Sequence, residues 1–170
     1  MTSDKQPDST LILGLGNALR GDDGFGPALI AWLDRQELPP SVEVIEGGAD
    51  SLNLVSLLLD RQRVIVVDAA NLGDMPGAWR RFTPATVHLK SNAASLSLHA
   101  AGLTEALALA ATLKVLPPEV IIYGVQPAHL EWNTALSAEV QAVVPIVGNA
   151  VLQEIVNRPL GGGGTSVVGG

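Results

Sequence analysis

Leu11-Ile-Leu-Gly-Leu-Gly-Asn-Ala-Leu-Arg-Gly-Asp-Asp-Gly-Phe-Gly26 is the stretch that decides the fold. Its first five residues carry no charge and are apolar on both faces, which suits a strand inside a covered sheet rather than one with a wet side. A turn of glycines, Asn17 and two aspartates follows. A helical pattern then opens near Pro27, a residue tolerated in the first turn of a helix.

Outward from this unit, Val42–Ile45, Val64–Val67 and Val120–Val125 repeat the same doubly apolar pattern. Helices are expected over 27–36, 51–59, 103–114 and 137–157. Leu103, Ala106, Leu107, Ala110 and Leu113 fall on one helical face, as do Val140, Val143, Val144, Val147 and Val151. Pro117-Pro118 closes the third helix. The more polar Ala78–Phe82 suits an antiparallel edge strand. The expected class is therefore α/β: a three-layer α/β/α sandwich with a mostly parallel central sheet and one antiparallel edge strand. Strand-helix-strand units of this kind cross over right-handedly and bind ligands beyond the carboxyl ends of their strands.

The 170 residues suffice for one domain. The expected division is a polar extension over 1–9, a single α/β domain over 10–158 and a flexible glycine-rich tail over 159–170. Hydrophobic residues make up 47% of the chain but aromatic ones only 4%, so the core must be aliphatic. A net charge of -7 argues against nucleic-acid and anionic-membrane partners. With no cysteine, protein-supplied metal ligands are confined to His and carboxylate. The N-terminus carries no apolar signal region, and no unbroken apolar run reaches membrane length, so a cytoplasmic location is expected.

The first turn opens like a dinucleotide site, with Gly14-x-Gly16. Leu19, however, stands where a third glycine should let helix and strand approach, and Asp22 and Asp23 would repel a pyrophosphate. Glu46, ending the second strand where a ribose-binding acid would sit, keeps a nucleotide- or metal-binding domain open as the alternative. One aspartate of the pair is expected to cap the first helix; two exceed what a cap needs. Asp68 ends Val64-Ile-Val-Val-Asp68 at the same edge, where capping is again the plainer reading. Of the histidines, His88 lies in a polar stretch and His129 follows Gln126-Pro127. His99, just ahead of the helix at 103, is the best ligand candidate. Two carboxylates and an imidazole form a borderline-hard set suited to a first-row divalent ion. No His-Glu-x-x-His, Gly-x-Ser-x-Gly, Asp-Thr-Gly or P-loop motif is present.

Taken together, the Gly14–Gly26 turn, the strand ending Val-Val-Asp68-Ala, Ser97-Leu-His99 ahead of a helix, and Ile121-Ile-Tyr-Gly-Val-Gln-Pro127 resemble the nickel-iron hydrogenase maturation endopeptidases across nearly the whole chain. The resemblance implies an enzyme that removes a C-terminal extension from the hydrogenase large-subunit precursor after nickel insertion. The metal contacts it carries over are Asp23, Asp68 and His99; Asp22 is not among them and is expected to be structural, its loss costing about 1 kcal/mol as a cap. Glu46-Gly47-Gly48-Ala49-Asp50 replaces a more usual Asp-Gly-Gly-Thr, which bears on how Glu46, Gly47 and Gly48 read the substrate. Both glycines also fit a plain turn requirement. Nickel would arrive on the precursor, so the resemblance implies no stored metal, no organic cofactor and a monomer. A carboxylate engaged with a cation keeps a low pKa and is a poor base, which favours attack by a water on the ion.

Overall fold

The computed structural model describes residues 9–48, 51–86, 97–98 and 102–157. His88, His99, Ala49, Asp50, the extension before Ser9 and the glycine-rich tail lie outside them. In chain order the elements are β1 (Thr10–Leu15), α1 (Phe25–Leu33), β2 (Val42–Gly48), α2 (Ser51–Leu58), β3 (Arg63–Asn71), β4 (Trp79–Phe82), β5 (Ser97–Leu98), α3 (Leu103–Thr112), β6 (Glu119–Val125) and α4 (Ala138–Val156).

The sheet runs β2-β1-β3-β6-β4, with β5 attached to β3. The first four strands are parallel. The polar β4 lies antiparallel against β6 at the edge, as its composition suggests. Alternate residues of the central strands feed two cores. Leu11, Leu13, Leu15, Val64, Val66 and Ile122 join Leu54, Leu58 and the buried face of α3 on one side. Ile12, Ile65, Val67, Ile121 and Val125 join α1 and α4 on the other. Helices covering both faces explain why these strands read as continuous apolar runs rather than as alternation.

Several boundaries shift for identifiable reasons. β3 continues past Asp68 to Asn71 because β6 pairs with it through Ala69 and β5 pairs with Ala70 and Asn71. β2 runs beyond Glu46 to Gly48, held by Gly14 and Leu15 across an irregularity in register. Leu113 leaves the expected buried face and is 56% exposed, since α3 ends at Thr112 and Leu113 is its C-cap. α4 is long and apolar enough to cross a membrane by length and composition. Its Val140, Val144, Val147 and Val151 are nonetheless buried with the α1 side of the sheet, as in a core helix.

The carboxyl-terminal turn of α4 is fastened to the sheet by charge. Glu154 accepts hydrogen bonds from Arg63, at the start of β3, from Arg81 on β4 and from the Tyr123 hydroxyl on β6. Burial works against its charged form, but the bonds from Arg81 and Tyr123 hold its carboxyl below the usual 4.5. Burial and the same bond push Tyr123 up to about 12. A carboxylate whose folded pKa is depressed adds stability above the unfolded value, and that stability is lost as pH falls through the folded pKa. Glu154→Gln is therefore expected to lower Tm at neutral pH. The gap to wild type should stay constant down to about pH 5 and close below it. Thermal melts of both proteins across this range check the trend.

Candidate active site

The chain leaves β1 through α1 on one face and reaches β3 through α2 on the other, so the strand order reverses between β1 and β3. In an open α/β sheet the crevice beyond such strand ends is where ligands bind. β1 and β3 stay paired only as far as Gly14 and Val67, and Asp68 is the next residue of β3. The carboxylate thus stands at the point where the two strands part, and Asp68 is 0% exposed.

The Gly14–Gly26 turn fills the other wall and packs on β3. Its tight course depends on Gly16, which has φ +115; a methyl there would stand 2.0 Å from the Asp23 carbonyl oxygen. Asn17 then closes the turn, its side chain accepting from the Leu19 N–H at 2.9 Å. Its own N–H donates to Oδ2 of Asp23 at 3.0 Å. Asp23 is 6% exposed. Among the described residues its Oδ1 meets no hydrogen-bond donor, and no ion pair reaches it. Burying a carboxylate oxygen in this way is costly unless a donor or cation arrives to meet it. The position suits one corner of an oxygen-rich cation site.

Asp22 does something the sequence did not show. Neither acid caps a helix: the Gly21–Gly24 turn and α1 both lack a side-chain cap. Asp22 is fully buried and turned the other way. Its Oδ2 accepts from the Ala128 N–H at 2.7 Å, the His129 N–H at 3.3 Å and the Ser137 hydroxyl at 2.8 Å. Oδ1 accepts from the Ser137 N–H at 2.6 Å. Ser137 in turn caps α4 by accepting from the Val140 N–H. One carboxylate therefore joins the first turn to the loop after β6 and to the start of α4. The adjacent acids have opposite tasks, Asp22 saturated and Asp23 left open.

Glu46 is exposed and lines an open cleft of about 430 Å³ with Ala18, Gly21, Gly24, Pro27 and Leu136. Gly47 and Gly48 have backbone reasons for their identity. A methyl at Gly47 would strike the Leu13 and Leu15 side chains. Gly48 has φ +64, and its carbonyl accepts from the Gly16 N–H. His99 lies outside the described residues. The two residues before it, Ser97 and Leu98, pair with Asn71 and Ala70, just past Asp68. His129 packs on the first turn through its backbone, while its ring makes a 3.4 Å contact with Thr134 of its own loop. Among the described residues no group of three His, Asp or Glu is gathered to hold a metal.

A family model for hydrogenase maturation proteases matches residues 27–154. The hydrogenase expression/formation protein HupD of Rhizobium leguminosarum bv. viciae is 36% identical over 137 residues, 79% of this chain and 68% of the relative. HupD of Bradyrhizobium diazoefficiens is 33% identical over 143 residues, covering 83% and 74%. Among solved structures, the hydrogenase maturating endopeptidase HybD from E. coli superposes with a TM-score of 0.75 at 26% identity, over 87% of this chain and 92% of that one. Hydrogenase 2 maturation peptidase from Thaumarchaeota archaeon SCGC_AB-539-E09 gives 0.64 at 32%, covering 86% and 97%. The fold thus coincides with that of a class of α/β peptidases. The chain belongs to the hydrogenase maturation protease family, and the nucleotide-binding alternative is set aside.

Proposed function

We propose that this chain is the endopeptidase that cuts the C-terminal extension from a nickel-iron hydrogenase large-subunit precursor once nickel is in place, acting as a cytoplasmic monomer. The observation that supports this reading is the half-satisfied Asp23: a buried carboxylate with one oxygen fixed by the Asn17 N–H and the other without a donor among the described residues. Such an atom suits a cation that comes and goes with the substrate. Asp23, Asp68 and His99 are assigned as the groups that contact the nickel carried by the precursor. Held there, the ion would polarise the scissile carbonyl or activate a water to attack it, the C–N bond breaking as the departing amine takes up a proton. Glu46 is assigned to the precursor segment entering the cleft, while Gly47 and Gly48 give β2 the shape that brings Glu46 there.

The experiment is a trimming assay on one large-subunit precursor prepared with and without nickel. The purified chain is expected to shorten the nickel-loaded form and leave the nickel-free form intact. Equal cleavage of both would remove the metal from the recognition step.

A further inference from the structure

Beyond the crevice, the fold spends scarce aromatic surface on solvent. The chain has only three tryptophans, and Trp132, in the loop between β6 and α4, is 61% exposed. Leu19, at the tip of the first turn, is 62% exposed. The two belong to one rim, since the Asn133 N–H donates to the Leu19 carbonyl at 2.7 Å and the Arg20 guanidinium lies 5.3 Å from the centre of the Trp132 ring. Exposed apolar residues scattered singly need no explanation, but a tryptophan and a leucine held together beside a functional cleft do.

The rim is rigid for reasons already given. Asp22 bonds the loop at Ala128, His129 and Ser137. Gly21 N–H donates to the Thr134 carbonyl, and the Thr134 hydroxyl donates to the Glu131 carbonyl. Tryptophan and arginine in a fixed setting beside a recess have the composition of a binding hot spot. The rim is continuous with the cleft, which is walled by Ala18, Ala135 and Leu136 and carries Glu46 as its charged lining residue. Asp23 is buried in the same turn whose tip, Leu19, stands exposed on the rim. The matching surface is a cation set in an apolar surround.

We infer that Leu19 and Trp132, backed by Arg20, form the docking rim for the hydrogenase large-subunit precursor, gripping an apolar surface around its nickel-bearing tail. The inference rests on the proposed function above. In its terms the rim supplies binding energy common to ground and transition states, so its loss raises KM and leaves kcat unchanged.

The test uses the full chain and a nickel-loaded large-subunit precursor, with both the Kd of the complex and the kinetics of trimming measured. Leu19→Ala, Trp132→Ala and the double variant are expected to keep the wild-type Tm. KM and Kd should rise on the order of tenfold or more for Trp132→Ala. Trp132→Phe should recover most of the loss. Ile146→Ala, an exposed apolar position on the outer face of α4, should change neither constant. Unchanged KM and Kd in the double variant overturn the docking rim while leaving the protease reading intact. A wild-type chain that binds the precursor through this rim without cutting it overturns the protease reading alone, and one that neither binds nor cuts overturns both. Self-association of the wild-type chain abolished by the double variant would assign the rim to a second copy and overturn the proposal.

Discussion

Asp23→Asn is expected to lose nickel-dependent trimming while folding as well as the wild type or better. The asparagine oxygen can keep the bond from the Asn17 N–H. The amide then occupies the side where Oδ1 meets no donor among the described residues, so an uncompensated buried charge disappears. Activity moves the opposite way, because a neutral amide is a poor partner for a dication. Loss of one group that stabilises charge at a reaction centre commonly costs on the order of 10²–10³ in rate, and trimming should fall by at least that much. Asp68→Asn should produce a similar loss of activity, and so should His99→Ala. The measurement pairs thermal melts with single-turnover trimming of nickel-loaded precursor. An Asp23→Asn protein that is markedly less stable than wild type, or that trims at an undiminished rate, would break the argument. The opposed signs are the signature of a site that gives up stability for function.

The second large effect belongs to Asp22, and it is one of stability. Asp22→Ala removes the acceptor for three backbone N–H groups and one hydroxyl, all directed at a fully buried side chain. Bonds to a charged group contribute more than neutral ones, and buried donors left without partners carry the full desolvation penalty. A loss of roughly 3–5 kcal/mol follows, far above the 1 kcal/mol or so of a lost cap. For a chain of this size, Tm should fall by roughly 6–20 °C. Asp22→Asn retains an acceptor at Oδ2 but turns an amide toward the Ser137 N–H, and should fall between the two. A shift below 2 °C in the alanine variant would mean that these four bonds do not hold the turn. Lost trimming in Asp22→Ala is to be read as a folding defect, which makes that variant unsuitable as a neutral control for Asp23.

The contrast between the two acids shows how far the sequence reaches. The central strands were legible because burial on both faces leaves a continuous apolar record in Leu11–Leu15, Val64–Val67 and Val120–Val125. The antiparallel β4 was legible from its polarity. Strand ends were less so: β3 outlasts Asp68 because of pairing with β5, and the two-residue Ser97–Leu98 has no periodicity of its own to announce it. The acidic pair marked the first turn as unusual, and the resemblance singled out Asp23. No local pattern, however, could reveal that Asp22 answers to Ala128, His129 and Ser137, since that partnership exists only in three dimensions. Trp132 passed unnoticed because an aromatic residue in a polar loop looks like an isolated one until the fold sets it beside Leu19.

The reach of that one carboxylate also orders events in time. Asp22 and Ser137 are 115 residues apart in the chain, so the contact that fixes the first turn closes one of the longest loops in the molecule. Closing such a loop carries a large entropic cost, which the sheet between its ends helps to offset. On the ribosome, β1 and the acid-bearing turn emerge early but gain their final shape only when the segment through Ser137 follows. The first turn is therefore completed by the last third of the chain, and a nascent chain that stops short of Ser137 carries Asp22 without the partners that hold the turn.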